Sequence, residues 1–225
     1  MRRLYIANKN YSSWSLRPWV LMRELGIPFE ETLTPFGDAV PYRTFSPSGK
    51  VPCLVDGTAT VWESLAIVEY LAEAFPNVWP ADAAARAWAR SAAAEMHAGF
   101  SSLRTMCAMS CGVRVRLAHW PPELMRDLAR VEELWGDGLT RFGGPYLAGS
   151  AFSAVDAFFA PVAFRVQTYE PVLQAHSRHY VKRLLALPSM VKWYQSALSE
   201  VWRDEPHEKE IREVGTVLAD LRRQD

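Results

Sequence analysis

The chain has 225 residues, 49% of them hydrophobic and 12% aromatic, enough for one large core or two small ones. Its 25 basic side chains balance 25 acidic ones, so no cationic surplus directs it toward nucleic acid or an anionic membrane. Three cysteines without a CxxC spacing argue against a disulfide framework, a dithiol redox centre and a structural zinc site.

The first 75 residues mix strand and helix signals. "LYIA" (4–7) reads as a short strand, and residues 14–25 as a helix stopped by Gly26 with Pro28 beyond. "FEETLT" (29–34) alternates and reads as a second strand. Residues 35–49 carry three prolines and two glycines and read as mostly loop. "CLVD" and "TATVW" flank Asp56-Gly57, a hairpin signal. Residues 64–74 form a helix with Leu65, Ile67, Val68 and Leu71 on its apolar face.

"FPNVWPADAAA" (75–85) breaks the pattern, and beyond it no strand is expected. Trp88, Ala92, Met96, Gly99, Leu103 and Met106 recur as one stripe of a single long helix. Cys107 and Cys111, four apart, fall on its continuation, and with Cys53 are expected as small core residues. Leu124 to Phe142 form a second striped helix, 143–152 a loop, 154–169 a buried helix and 189–200 another helix. The polar tail, 204–225, reads as helical in part. No run of 18 apolar residues and no signal-peptide h-region occur, so a soluble cytoplasmic protein is expected.

Four stretches carry chemistry. In "GKVPCLVDG" (49–57), Pro52 directly precedes a hairpin strand. It is either a trans proline on an edge strand or a cis proline that leaves the Val51 backbone open to an extended peptide. In "WESLAI" (62–67), Glu63 and Ser64 either cap a helix or hold an amino-acid zwitterion, the carboxylate on the helix N-terminus and the ammonium on Glu63. "NYSSWSLRPW" (10–19) crowds Ser12, Ser13 and Ser15 at a helix start. One serine suffices as a cap. Another, with the helix N-terminus, would stabilise a bound thiolate. In "FSAVDAFFAP" (152–161), Ser153 and Asp156 make a capping box for the buried helix.

In this order and spacing the four stretches resemble the glutathione transferase family along essentially the whole chain. The resemblance implies a thioredoxin-like α/β N-terminal domain (1–76), a linker (77–85) and an all-α C-terminal domain (86–225) that contributes the electrophile site. It implies glutathione as co-substrate and no metal, with Val51 and cis Pro52 on the cysteinyl backbone and Glu63 and Ser64 on the γ-glutamyl end. Lys50 then reaches the glycine carboxylate or is a solvated loop lysine. "SSWSLRPW" is similar to the zeta-class "SSCSWRVR", which aligns Ser12 with the thiol-activating serine; Ser13 is the second choice and Tyr11 the third. Trp14 stands where that pattern has cysteine. Thr168 stands where it has an arginine for acidic substrates, with Arg165 one turn away. The electrophile pocket would draw on Tyr11, Trp14, His97, Arg104 and Met106. His97 and Arg104 read either as a polar wall, suited to an anion, or as an interdomain or solvated face. The resemblance also implies a homodimer and a detoxifying transferase. A glutathione-dependent isomerase of the maleylacetoacetate type, a peroxidase and a non-catalytic binding or regulatory protein are the alternatives.

Overall fold

The computed structural model describes residues 1–37 and 40–223; Asp38 and Ala39 of the 35–49 loop, and the last two residues of the tail, lie outside it. Strand β1 (Arg2–Ile6) leads into helix α1 (Ser13–Glu24), and β2 (Glu30–Leu33) returns parallel to β1. The hairpin β3 (Cys53–Asp56) and β4 (Ala59–Trp62) turns at Gly57, whose φ of +60° suits a residue without a Cβ. β3 lies antiparallel to β1, giving the order β2-β1-β3-β4. Helix α2 (Ser64–Ala74) follows at once. The strands, hairpin and helices read from the first 75 residues are all present in that order, with boundaries shifted by one or two residues.

Beyond it come α3 (Ala83–Ala98), α4 (Ser101–Met106), β5 (Val113–Leu117) and α5 (Pro122–Arg141). Then follow α6 (Ala154–Tyr169), α7 (Ala175–Leu185), α8 (Pro188–Ser199), α9 (Glu205–Val214) and β6 (Gly215–Asp220). Helix α3 starts inside the stretch expected as linker, because Asp82 caps it by accepting the Ala85 N–H at 2.8 Å.

Three expectations are corrected. The single long helix is two: Phe100 takes a left-handed φ of +60° between α3 and α4. The carbonyls freed at the end of α3 are capped by Arg104, which donates through Nε to Gly99 O at 2.9 Å and through Nη2 to Met96 O. The C-terminal part is not free of strands, since β5 and β6 pair antiparallel as a two-stranded ribbon. And α7 occupies a stretch for which no element was expected; Tyr180, Val181 and Leu184 form its buried face. The helix of Cys107 and Cys111 stops at Met106, and all three cysteines are buried free thiols. Burial raises Cys107 to about 12 and Cys111 further.

The core is continuous from sheet to helices. Helix α1 is buried along most of its length and packs against α6. Helix α6 is buried on nearly every side, and its start is fixed by Asp156. That carboxylate accepts from Ser153 N–H at 3.0 Å, Leu147 N–H at 3.0 Å and the Tyr180 hydroxyl at 2.9 Å. Gly138 of α5 passes so close to Trp88 and the Leu147 carbonyl that a Cβ there would stand 2.5 Å from each.

Candidate functional site

The loop between β1 and α1 delivers the serines, and the C-terminal elements hold it. Glu200, buried just after α8, accepts from Lys9 N–H at 2.7 Å and from the backbone and side-chain N–H groups of Asn10, each at 3.3 Å. Trp193 Nε1 donates to Lys9 O at 2.9 Å, and the Asn10 amide donates to Ala197 O at 2.6 Å. Burial raises the Glu200 carboxyl above its ordinary value even so. Tyr11 is fixed from the other side. Its hydroxyl donates to Glu208 of α9 and accepts from Arg222 Nη1 at 3.0 Å. Burial first, then Glu208, pushes its ionisation far above the ordinary tyrosine value. Its proton is therefore committed, which weighs against Tyr11 as a thiol activator.

The three serines separate in role. Ser12 is the N-cap of α1: its Oγ accepts from Ser15 N–H at 3.4 Å and donates to Ser15 Oγ at 2.7 Å. Ser15, fully buried, accepts from Ala7 N–H at 3.3 Å and ties the helix to β1. Ser13 begins the helix, and its hydroxyl makes no hydrogen bond within the described residues. Both Ser12 and Ser13 line a cavity of about 450 Å³. Of the other residues the sequence singles out, Tyr11, Trp14, Lys50, Val51 and Arg104 also line it.

His97 does not line it. It stands behind Trp14, edge-on at 5.2 Å between centroids, and beside Phe158 at 6.2 Å. Met106 packs at the edge of the core, outside the lining. Thr168 donates to Ser110 O at 2.7 Å and faces away, whereas Arg165, one turn earlier on α6, reaches the cavity. Sequence reasoning missed the contribution of α9. His207 and Glu210 line the cavity, and His207 stacks on Tyr11 and on Phe36, each at 5.0 Å. Their only signal was a polar, helical tail.

Just ahead of β3 the backbone is open to a partner. The Val51–Pro52 peptide is cis, and Val51 makes no backbone hydrogen bond within the described residues. Pro52 itself is buried and Lys50 exposed. At the head of α2, Glu63 is exposed with a φ of +71°, a conformation that costs a side-chain-bearing residue roughly 1–3 kcal/mol and concentrates at ligand sites. Ser64 beside it is fully buried, yet its hydroxyl has no partner. An unpaired hydroxyl and unpaired N–H groups at one helix start can hold a carboxylate. Among the described residues no group of three or more His, Cys, Asp or Glu gathers as a metal site, and no helix is long and apolar enough to cross a membrane.

Known proteins resemble this chain in sequence and fold. Residues 11–74 match the model of the glutathione S-transferase N-terminal domain, and residues 114–196 that of the C-terminal domain. A glutathione S-transferase-like protein, OpS6 of Beauveria bassiana, is 26% identical over 211 residues, covering 84% of this chain and 93% of its own. A dichloromethane dehalogenase of Methylorubrum extorquens is 42% identical, but over only 59 residues, 24% of this chain and 20% of its own. Among solved structures, a glutathione transferase homolog from Burkholderia GL BGR1 with bound glutathione superposes with a TM-score of 0.66 at 22% identity. That match covers 87% of this chain and 97% of the other. A glutathione transferase from Methylococcus capsulatus gives a TM-score of 0.66 at 21% identity, covering 88% and 98%. At such identities the superpositions speak for the fold, and the two domain matches, together spanning most of the chain in the expected order, place this protein in the glutathione S-transferase family.

Proposed function

We propose that the cavity at the head of α1 binds glutathione and that the protein is a transferase, delivering the tripeptide's thiolate to a small electrophile. The carrying observation is that the cavity wall presents unpaired polar groups, the Val51 backbone and the Ser13 hydroxyl. Outside that lining, at the head of α2, the buried Ser64 hydroxyl beside Glu63 is unpaired as well. Each has a counterpart in an extended peptide with an amino-acid zwitterion at one end and a thiol in the middle. Lys50, exposed beside Val51, is suited to the glycine carboxylate.

Within this reading Ser13 is favoured as the donor to sulfur. The Ser12 proton is directed at Ser15, and its oxygen caps the helix. Ser12 activates the thiol only if that bond turns round and Ser15 becomes the donor. Either hydroxyl acts with the positive end of α1, and a thiolate so held ionises about two units below a free thiol, at about 1.4 kcal/mol per unit. Attack forms the C–S bond as the leaving group departs with its electron pair. Isomerisation and peroxide reduction would use the same thiolate; product analysis separates them, since only transfer leaves a stable thioether. The homodimer expected from the resemblance belongs to the same proposal, and sedimentation tests it.

The test is the ultraviolet thiolate absorbance of bound glutathione, titrated in the wild type, Ser13→Ala and Ser12→Ala. The midpoint is expected about two units below that of free glutathione and to return by about one unit or more in Ser13→Ala. A wild-type midpoint equal to that of free glutathione refutes the proposal. A loss confined to Ser12→Ala moves the role to Ser12.

A further inference from the structure

Two guanidiniums, those of Arg17 and Arg165, are buried near this cavity without a carboxylate partner, and a third, that of Arg104, is half-buried beside them. Arg17 on α1, fully buried, lies against Trp14 at 4.2 Å and Phe158 at 4.9 Å. Its Nε and Nη1 have no partner, and Nη2 only reaches Met96 O at 3.5 Å. Arg104, on α4, lies against the same Trp14 ring at 4.8 Å. Arg165, on α6, is 5% exposed and donates through Nη1 to Cys107 O and Arg104 O. The arginines depress one another: burial first, then their mutual repulsion, lowers Arg17 and Arg165, the latter to about 10. Glu63, Asp127 and Glu210 are the acidic groups within electrostatic reach, and only Glu210 lines the cavity, against Lys50, Arg104 and Arg165.

Capping accounts for part of this. Arg104 closes the end of α3, and Arg165 satisfies two carbonyls near the end of α4. It does not use the whole of either fork. Arg104 Nη1, and Arg165 Nε and Nη2, make no hydrogen bond within the described residues, and both side chains line the cavity. Burying cations without counter-ions is costly, and a fold that keeps them beside a cavity has a use for an anion there. A carboxylate accepts two parallel N–H bonds from one guanidinium, a geometry a neutral ligand of the same shape does not match. Trp14 and Met109 supply apolar wall beside the two forks.

We infer that the second substrate carries a carboxylate, received by Arg165 and Arg104. This rests on the glutathione reading above and goes further by naming the charge of the electrophile and the residues that select it. In the reaction the carboxylate is a handle only. The thiolate still forms the C–S bond, and the leaving group still takes the electron pair.

The test compares S-(4-carboxybenzyl)glutathione with S-(4-carbamoylbenzyl)glutathione, which have nearly the same shape and differ in charge. Calorimetric titration of the wild type is expected to favour the carboxylate conjugate by about tenfold or more. In Arg165→Gln and Arg104→Gln that ratio is expected to fall by about threefold or more each, and a ratio within one variant cancels any general loss of folded protein. Arg165→Lys, which keeps the charge but not the fork, should fall in between. If glutathione and both conjugates bind the wild type without preference, or the carbamoyl conjugate binds more tightly, the inference is overturned and the glutathione reading stands. A wild-type preference that survives both glutamine variants overturns the assignment to these arginines. If neither conjugate nor glutathione binds, both readings fall together.

Discussion

Replacing Asp156 by alanine tests how the buried helix is held. The carboxylate is fully buried and accepts from Ser153 N–H, Leu147 N–H and the Tyr180 hydroxyl at 2.9–3.0 Å. Stranding each donor costs about 1–3 kcal/mol, so the lost bonds sum to roughly 3–9. Against this, burial raises the carboxyl from 3.8 to about 6 despite these donors and the Ser153 hydroxyl at 3.4 Å. Keeping it ionised at neutral pH therefore costs the fold on the order of 3 kcal/mol, which alanine avoids. The difference is a net loss of about 0–6 kcal/mol at pH 7.5, with about 3 at the middle of the range, against the roughly 5–15 that holds a typical domain. The pH dependence supplies a second reading. Because the folded value lies above the unfolded one, the folded state holds more protons between about pH 4 and pH 6. Wild-type stability from this group is then greatest in acid and declines as pH rises through that window. Alanine removes the slope, so its cost should be about 1 kcal/mol greater at pH 5 than at pH 7.5. Urea unfolding followed by tryptophan fluorescence at the two pH values measures both. A net stabilisation at pH 7.5, or a loss no larger in acid, would refute the reasoning.

Other substitutions probe the site and its supports. Ser64→Ala should leave the melting temperature unchanged or slightly raised, because the buried hydroxyl has no partner to lose, while glutathione binding weakens about 10- to 100-fold by calorimetry. Glu200→Ala strands the Lys9 and Asn10 N–H groups; a loss of roughly 2–4 kcal/mol in urea unfolding and faster amide exchange across residues 8–12 are expected. Gly138→Ala gains about 1 kcal/mol of helix propensity but drives a methyl against Trp88 and the Leu147 carbonyl, so a net destabilisation of about 1–3 kcal/mol should appear in thermal melts.

What could be read from the sequence was local. The Asp56-Gly57 hairpin, the helix opened by Ser64 and the Ser153–Asp156 box depend on neighbours within a few residues, and each stands in the structure. The break at Phe100 was hidden because the apolar stripe of α3 continues in phase across it, while the cap that stabilises it comes from Arg104. The ribbon of β5 and β6 joins segments about a hundred residues apart, and its alternating "VRVRL" offers no hint of a partner. At the serines, residue type pointed to a cluster, but its division of labour rests on the 2.7 Å bond from Ser12 to Ser15, a matter of rotamer. Arg165 was visible only as a residue one turn from the expected place, because its position on the cavity wall is set by how α6 packs and not by its sequence neighbours.

The loop at residues 8–12 is bound to Trp193, Ala197, Glu200, Glu208 and Arg222, partners between 184 and 211 positions later in the chain. Contacts of such sequence separation close late. During translation the sheet and α1 leave the ribosome long before these partners exist, so a nascent chain can hold its first helix while the serines still lack their mooring. The ordering of these serines, and any ligand binding that depends on it, should therefore wait until residue 222 has emerged from the ribosome.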